Sequence, residues 1–139
     1  MEAKITQTVP ALHHVAHPDP ALPFSAAVRV GHFVHLSGQI GVGPDGRLPE
    51  GIAGQTHQTM RNLAACANLA GTSMANIFKC TVMLADMSMW PAFNEAYLSY
   101  FDADRLPARS AFGVSGLAFG ALVEVEAIAL AGGNSSIRA

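Results

Sequence analysis

Apolar residues recur along the chain with two different periods, and the change of period separates helices from strands. Between residues 52 and 70 they return every three or four positions, and Gly71 follows where a helix would end, which predicts a first helix. The same period as far as about Phe101 predicts a second helix, with Asp86 or Ser88 as the residue that caps it. Each predicted helix carries one apolar stripe for a core.

Alternating apolar and polar residues predict the strands. Two apolar runs between residues 24 and 40 are broken by Gly31 and His32, which is typical of a hairpin. The other predicted strands cover residues 76–84, 110–114 and 122–130. In the first of these, the alternation predicts one face that carries Phe78, Cys80, Val82 and Leu84.

The order of these elements is strand pair, helix, strand, helix, strand pair. This order indicates an α+β fold with both helices on one face of a sheet. Residues 1–22 are rich in proline and predict an extended N-terminal arm, while residues 132–139 predict a flexible tail. We therefore expect one domain over residues 23–131.

The composition restricts the partners. Half of the 139 residues are hydrophobic and only 13% are charged, which favours buried contacts between subunits. The net charge is −2 and the basic residues form no run, so we expect no nucleic-acid partner. No apolar stretch is long enough for a membrane span or a signal core, so we expect a cytoplasmic protein without a membrane partner.

The cysteines and histidines predict no metal site. Cys66 and Cys80 lack the spacing of metal ligands and fall in core patterns, so we expect two reduced, unreactive thiols. His13, His14 and His17 lie close together, but no carboxylate or thiol in the arm completes a ligand set.

A few polar residues stand out as candidates for chemistry. Arg109 follows a proline at the start of a predicted strand, where it is either an ion-pair partner or a fixed cation for a carboxylate. Glu124 and Glu126 share a strand face, and one of them can act as a general base. Ser37 and Gly38 are either plain turn residues or a source of backbone amides for an anion.

Four stretches of the chain, in order, carry a family resemblance: "GHFVHLSGQIGVGPDGRL", "DMSMWPAFNEAYLSYF", "PARSAFGV" and "ALVEVEAIAL". In these stretches the chain resembles the RidA (YjgF) family of enamine and imine deaminases, over about residues 23–131. The resemblance implies the chorismate-mutase-like fold, with a mixed β-sheet and two helices packed on one face. It also implies a homotrimer with active sites at the subunit interfaces.

The resemblance assigns roles to single residues. Arg109 matches the family's carboxylate-binding arginine and Glu124 matches its water-positioning acid. The resemblance implies substrate-binding positions at Phe24, Ser37, Gly38, Asn94 and Ala111. Phe24 stands where many relatives have a tyrosine, and Ala118 and Phe119 stand where a proline and a lysine are common, so the cleft is expected to be more apolar.

Three functions follow as hypotheses. The first is hydrolysis of 2-imino acids, such as the imine of 2-aminoacrylate, to 2-keto acids and ammonia, without a cofactor or a metal. The second is a non-catalytic protein that binds a small carboxylate in the same cleft, which Phe24 favours. The third is an endoribonuclease or translation inhibitor, which the acidic charge balance disfavours.

Overall fold

The structure is a computed structural model that describes residues 8–132. Within this range two helices and six strands form one α+β unit. The strands are β1 (Leu12–Val15), β2 (Ala27–Val30), β3 (Phe33–Ile40), β4 (Ile77–Leu84), β5 (Ala108–Gly113) and β6 (Val123–Leu130). The helices are α1 (Gly51–Leu69) and α2 (Trp90–Leu98).

The strands form a single mixed sheet in the order β1-β2-β3-β6-β4-β5. All neighbours are antiparallel except β4 and β5, which run parallel with α2 in their connection. The α+β class, the mixed sheet and the hairpin at Gly31 and His32 are thus confirmed. The last strand of the chain, β6, lies in the middle of the sheet between β3 and β4.

Both helices pack on one face of this sheet, as predicted. Val34, Val82 and Val125 point from three neighbouring strands into the core and are fully buried. They belong to one apolar cluster with Met60 of α1 and Phe93 of α2. The burial of this face removes most of the large aliphatic side chains of the strands from water, which is the main favourable term of folding.

The opposite face of the sheet, here called the open face, carries no covering element within residues 8–132. Four large apolar side chains on it are roughly half exposed: Phe33, Phe78, Phe112 and Leu130. The rings of Phe33 and Phe78 contact each other with centroids 5.9 Å apart. Phe33 is also paired with Leu130 of β6, and exposed apolar side chains that cluster in this way are typical of a protein–protein contact surface.

The structure corrects the predicted start and end of the second helix. Neither Asp86 nor Ser88 caps α2, whose N-cap residue is Met89. The Asp86 carboxylate instead accepts the Ser88 N–H at 2.8 Å and caps a short 3₁₀ turn before α2. The helix ends at Leu98, three residues before Phe101. Beyond Leu98 the backbone bonds span three residues, for example Phe101 N–H to the Leu98 carbonyl, which tightens the chain into turns.

The predicted face of β4 is wrong at its first residues. Ile77 is buried, whereas Phe78 lies on the open face and is 39% exposed. The pairing of β4 with β6 shifts register between Ile77 and Lys79, and such a bulge turns the following side chains to the other face. From Cys80 onward the predicted alternation is confirmed.

A strand that the pattern did not predict lies in the N-terminal arm. β1 pairs antiparallel with β2, with His14 opposite Val28, and forms one edge of the sheet. The strand is short and mostly exposed, so it has no buried alternation for a pattern to reveal. The predicted tail at 132–139 lies outside the described residues except for Gly132. No helix in the described part of the chain is long and apolar enough to cross a membrane.

Candidate functional site

A cleft of about 770 Å³ opens where β6 begins. Its walls come from the segment before β2, the second half of β3, the turn before α1 and the 3₁₀ turn before β6. They include His17, Leu22, Phe24, Gly38, Gln39, Ile40, Arg47, Leu48, Asn62, Phe119 and Glu124. This volume falls in the range of about 300–1,000 Å³ that is typical of sites for small molecules.

Glu124 and Gly38 are in direct contact in this cleft. A Cβ atom on residue 38 would lie 3.0 Å from the Glu124 Cδ atom and closer still to its Oε1 atom. The pairing of β3 with β6 is interrupted between Leu36 and Gln39, so Gly38 sits in an irregular part of the strand. Only glycine lets the backbone of β3 approach the carboxylate this closely.

The surroundings of Glu124 suit a general base. Its partial burial raises the pKa of the carboxyl group, and the neighbouring charge of Glu126 raises it further. A carboxylate with a raised pKa is a stronger base than an ordinary carboxylate. Glu124 therefore has the chemistry expected of a group that takes a proton from water.

Glu126 differs from Glu124 although both point to the open face. Glu126 is exposed and lines a separate small depression of about 130 Å³ with His35, Lys79 and Thr81. Only Glu124 of the two lines the large cleft. The sequence left open which of the two glutamates is the base, and the position of Glu124 in the large cleft favours Glu124.

Ser37 and Phe24 lie on the same side of the molecule as Gly38. The Ser37 hydroxyl donates to the Ser25 carbonyl at 2.6 Å, which ties β3 to the segment before β2, and Ser37 is not among the residues that line the cleft. Phe24 lines the cleft with its ring 47% exposed and meets the ring of His17 edge to face. An apolar ring thus occupies part of the wall.

Arg109 lies in β5, on the helix-facing side of the sheet. It pairs with Cys80 of β4, which is fully buried on that side. The guanidinium carbon of Arg109 lies 4.8 Å from the ring centroid of Tyr97 and 5.6 Å from that of Phe93, both on α2. These cation–π contacts hold the guanidinium in place before any anion arrives.

Asn94 and Ala111 accompany Arg109. Asn94 lies on α2, next to the two rings, and its buried side-chain oxygen has no hydrogen-bond partner among the described residues. Ala111 lies two residues beyond Arg109 on β5, on the same face, partly buried against the core. We call Asn94, Arg109 and Ala111 the arginine group, and Phe24, Gly38 and Glu124 the glutamate group.

The two groups are separate within one chain. Cys80 pairs with both Arg109 and Ala127, so Arg109 shares the helix-facing side with Ala127, whereas Glu124 points to the open face. Two strand spacings and three residues along β6 place the Arg109 and Glu124 Cα atoms more than about 10 Å apart. One copy of the chain does not bring both side chains to one small substrate.

Asn62 is a cleft residue that the sequence reasoning missed. Its side-chain amide donates to the carbonyls of Ile40 and Val42, both at 2.9 Å, and ties α1 to the end of β3. In the helical pattern it is one polar residue among several, and no spacing signal marks its bonds to residues twenty positions away.

Both cysteine thiols are free and buried. Burial raises the pKa of both cysteine thiols, Cys66 and Cys80, which makes them poor nucleophiles. Across residues 8–132, no three His, Cys, Asp or Glu side chains are grouped so that they could hold a metal ion.

Comparisons with known proteins agree on one family. A family model described as "Endoribonuclease L-PSP" matches residues 14–131. The chain is 42% identical to the 2-iminobutanoate/2-iminopropanoate deaminase of Mus musculus over 112 residues, which covers 79% of this chain and 82% of that protein. It is 40% identical to a RutC family protein of Aquifex aeolicus, over 81% of this chain and 92% of that protein.

Solved structures show the same fold. RidA from the Antarctic bacterium Psychrobacter sp. PAMC 21119 superposes with a TM-score of 0.76 at 34% identity, covering 89% of this chain and 98% of that chain. Yeast Mmf1 superposes with a TM-score of 0.79 at 34% identity, covering 86% of this chain and 98% of that chain.

Proposed function

This chain belongs to the endoribonuclease L-PSP family, which contains RidA and YjgF proteins, and on that premise we propose that it hydrolyses 2-imino acids to 2-keto acids and ammonia. The observation that carries the proposal is the Glu124 carboxylate, which lies against Gly38 in a cleft of suitable size and has a raised pKa. The name of the murine relative supports the same reaction.

The reaction needs a base that activates water and a cation that binds the substrate carboxylate. An enamine such as 2-aminoacrylate first tautomerises to its imine, whose C2 carbon is electrophilic. Glu124 takes a proton from a water molecule as the water oxygen bonds to C2, and the proton passes to the nitrogen. The hydroxyl of the resulting carbinolamine then gives its proton, through Glu124, to the nitrogen, and the C–N bond breaks as the C=O bond forms, which leaves the 2-keto acid and ammonia. Arg109 binds the substrate carboxylate with two parallel hydrogen bonds.

We further propose that each active site is completed by two copies of the chain in a homotrimer. The glutamate group lines a cleft on one side of the sheet, and the arginine group lies on the other side with the unpartnered Asn94 oxygen. The apolar open face gives the subunits a surface to bury. In this arrangement Glu124 of one subunit and Arg109 of its neighbour act on the same substrate.

A coupled assay tests the reaction. An amino-acid oxidase generates imines in the presence of semicarbazide, which traps whatever imine has not been hydrolysed. We expect the protein to lower the yield of semicarbazone in proportion to its concentration, while heat-denatured protein has no effect. An unchanged yield for every imine tested would contradict the deaminase function.

The second candidate is a non-catalytic protein that binds a small carboxylate. It is favoured by Phe24, which offers no hydroxyl to a substrate in the cleft wall. Calorimetry with 2-ketobutyrate and the semicarbazide assay together separate the two functions, because this candidate binds the keto acid but leaves the semicarbazone yield unchanged.

A further inference from the structure

Phe119 has an unusual combination of backbone conformation and exposure. Its φ of 58° lies in the left-handed region, which bulky side chains avoid, and Gly120 follows with a φ of 69°. Its side chain is 82% exposed, although phenylalanine is usually buried. A bulky apolar ring is therefore held out at the rim of the cleft in a conformation that costs free energy.

The turn that carries Phe119 is firmly attached. The Leu122 N–H donates to the side-chain oxygen of Gln55 on α1 at 2.9 Å, and Ala121 is buried. The Gly120 N–H donates to the Leu117 carbonyl and closes the turn. Because the turn is fixed on both sides of the ring, its strain is maintained by the fold, as is common at ligand-binding positions.

The cavity that Phe119 lines also contains other apolar side chains. Leu22, Phe24 and Leu48 line the same cavity as Phe119, and we call these four residues the apolar wall. Glu124 and Gly38 line the same cavity, together with the charged residues Asp19 and Arg47. A substrate with only a methyl side chain would leave the apolar wall in contact with water.

On the basis of the proposed function, we propose that the preferred substrates are 2-imino acids with large apolar side chains, such as those derived from leucine, methionine and phenylalanine. In this arrangement the imine carbon lies at Glu124, Arg109 of the neighbouring subunit binds the carboxylate, and the side chain packs against Phe119 and Leu48. Burial of such a side chain removes apolar area of both partners from water, which favours it over a methyl group.

The test compares imines generated in place by an amino-acid oxidase of broad specificity. We expect kcat/KM for the imines of leucine and phenylalanine to exceed that for the imine of alanine by about 10-fold or more. The variants Phe119→Ala and Leu48→Ala should each reduce this ratio several-fold, towards about 1. The matched control is Leu98→Ala, since Leu98 is 48% exposed on α2 and does not line the cleft.

Three results would overturn the proposal. The first is a wild-type preference for the alanine imine, and the second is an equal loss on all imines in both variants. The third is loss of the oligomer in Phe119→Ala, detected by light scattering, because the ring would then be a subunit contact. If no imine is hydrolysed at all, the deaminase function fails, and calorimetry with 4-methyl-2-oxopentanoate and pyruvate still tests the apolar wall. Tighter binding of the larger keto acid supports the wall, and equal binding rejects it.

Discussion

At the scale of single residues, the contact between Gly38 and Glu124 defines the chemistry of the cleft. The carboxylate rests on a backbone that lacks a Cβ atom, and Glu126 two residues away adds negative charge. Both features act on the carboxylate that we propose as the base, and they make its substitution the most direct test of the site.

Glu124→Gln keeps the size of the side chain and removes the charge. We expect imine hydrolysis to fall by about 10²-fold, the usual scale for a positioned base, while keto-acid binding survives. Wild-type activity should fall as the pH drops through the raised pKa of Glu124, because protonation removes the base. Rates of both proteins measured against pH in the semicarbazide assay give the loss in Glu124→Gln and the pH dependence of the wild type.

Glu126→Gln is the matched control for this prediction. It removes a charge that raises the pKa of Glu124, so the acidic limb of the pH profile should move to lower pH with little loss of the maximal rate. If Glu126→Gln abolished the activity and Glu124→Gln did not, the base would be misassigned.

At the scale of elements, Gln55 joins α1 to the start of β6. The Gln55 side chain is buried, and its oxygen accepts the Leu122 N–H. The substitution Gln55→Leu leaves that N–H without a partner, so we expect a loss of about 1–3 kcal/mol in the free energy of unfolding. Urea unfolding at one fixed protein concentration measures it.

Gln58→Leu is the control on the same helix. The Gln58 side chain bonds to Asn62 and Arg61, which lie on the same helix, so we expect a change within about 0.5 kcal/mol. Equal losses in the two variants would show that the bond to Leu122 contributes nothing specific.

The elements also show what sequence reasoning can reach. The end of α1 was predictable because Gly71 is a local signal, and the structure gives it a φ of +78°. The exposure of Phe78 was not predictable, because the bulge near Ile77 depends on the pairing of β4 with β6, some fifty positions away. The pattern of apolar residues gives the period of a single strand, whereas the register depends on how two strands pair.

At the scale of the whole molecule, Arg109 and Glu124 point to opposite faces of the sheet. The sequence supplied both residues, through their chemistry and a family resemblance. The sequence could not show that the two side chains point to opposite faces of the sheet. That depends on how β5, an edge strand, and β6, a central strand, are placed in the sheet. The proposal of shared sites therefore rests on topology.

Mixing two inactive variants tests whether sites are shared. If Arg109→Ala and Glu124→Gln subunits are unfolded and refolded together in equal amounts, random trimers contain about one quarter of sites with both residues intact. We expect about one quarter of the wild-type activity to return in the semicarbazide assay.

The control is to refold each variant alone and then combine the two without exchange of subunits. This sample should stay inactive, as should each variant on its own. Absence of any recovery in mixtures that light scattering shows to be hybrid trimers would place the whole site within one subunit.

The burial of Cys66 and Cys80 has a consequence for the working life of the protein. The chain contains two cysteines, and both thiols are buried, with pKa values that burial raises. Enamines and imines arise in cells alongside other electrophiles and oxidants that consume exposed thiolates. The deaminase that we propose would work among such compounds, and the burial of both its thiols would protect it from modification at sulfur.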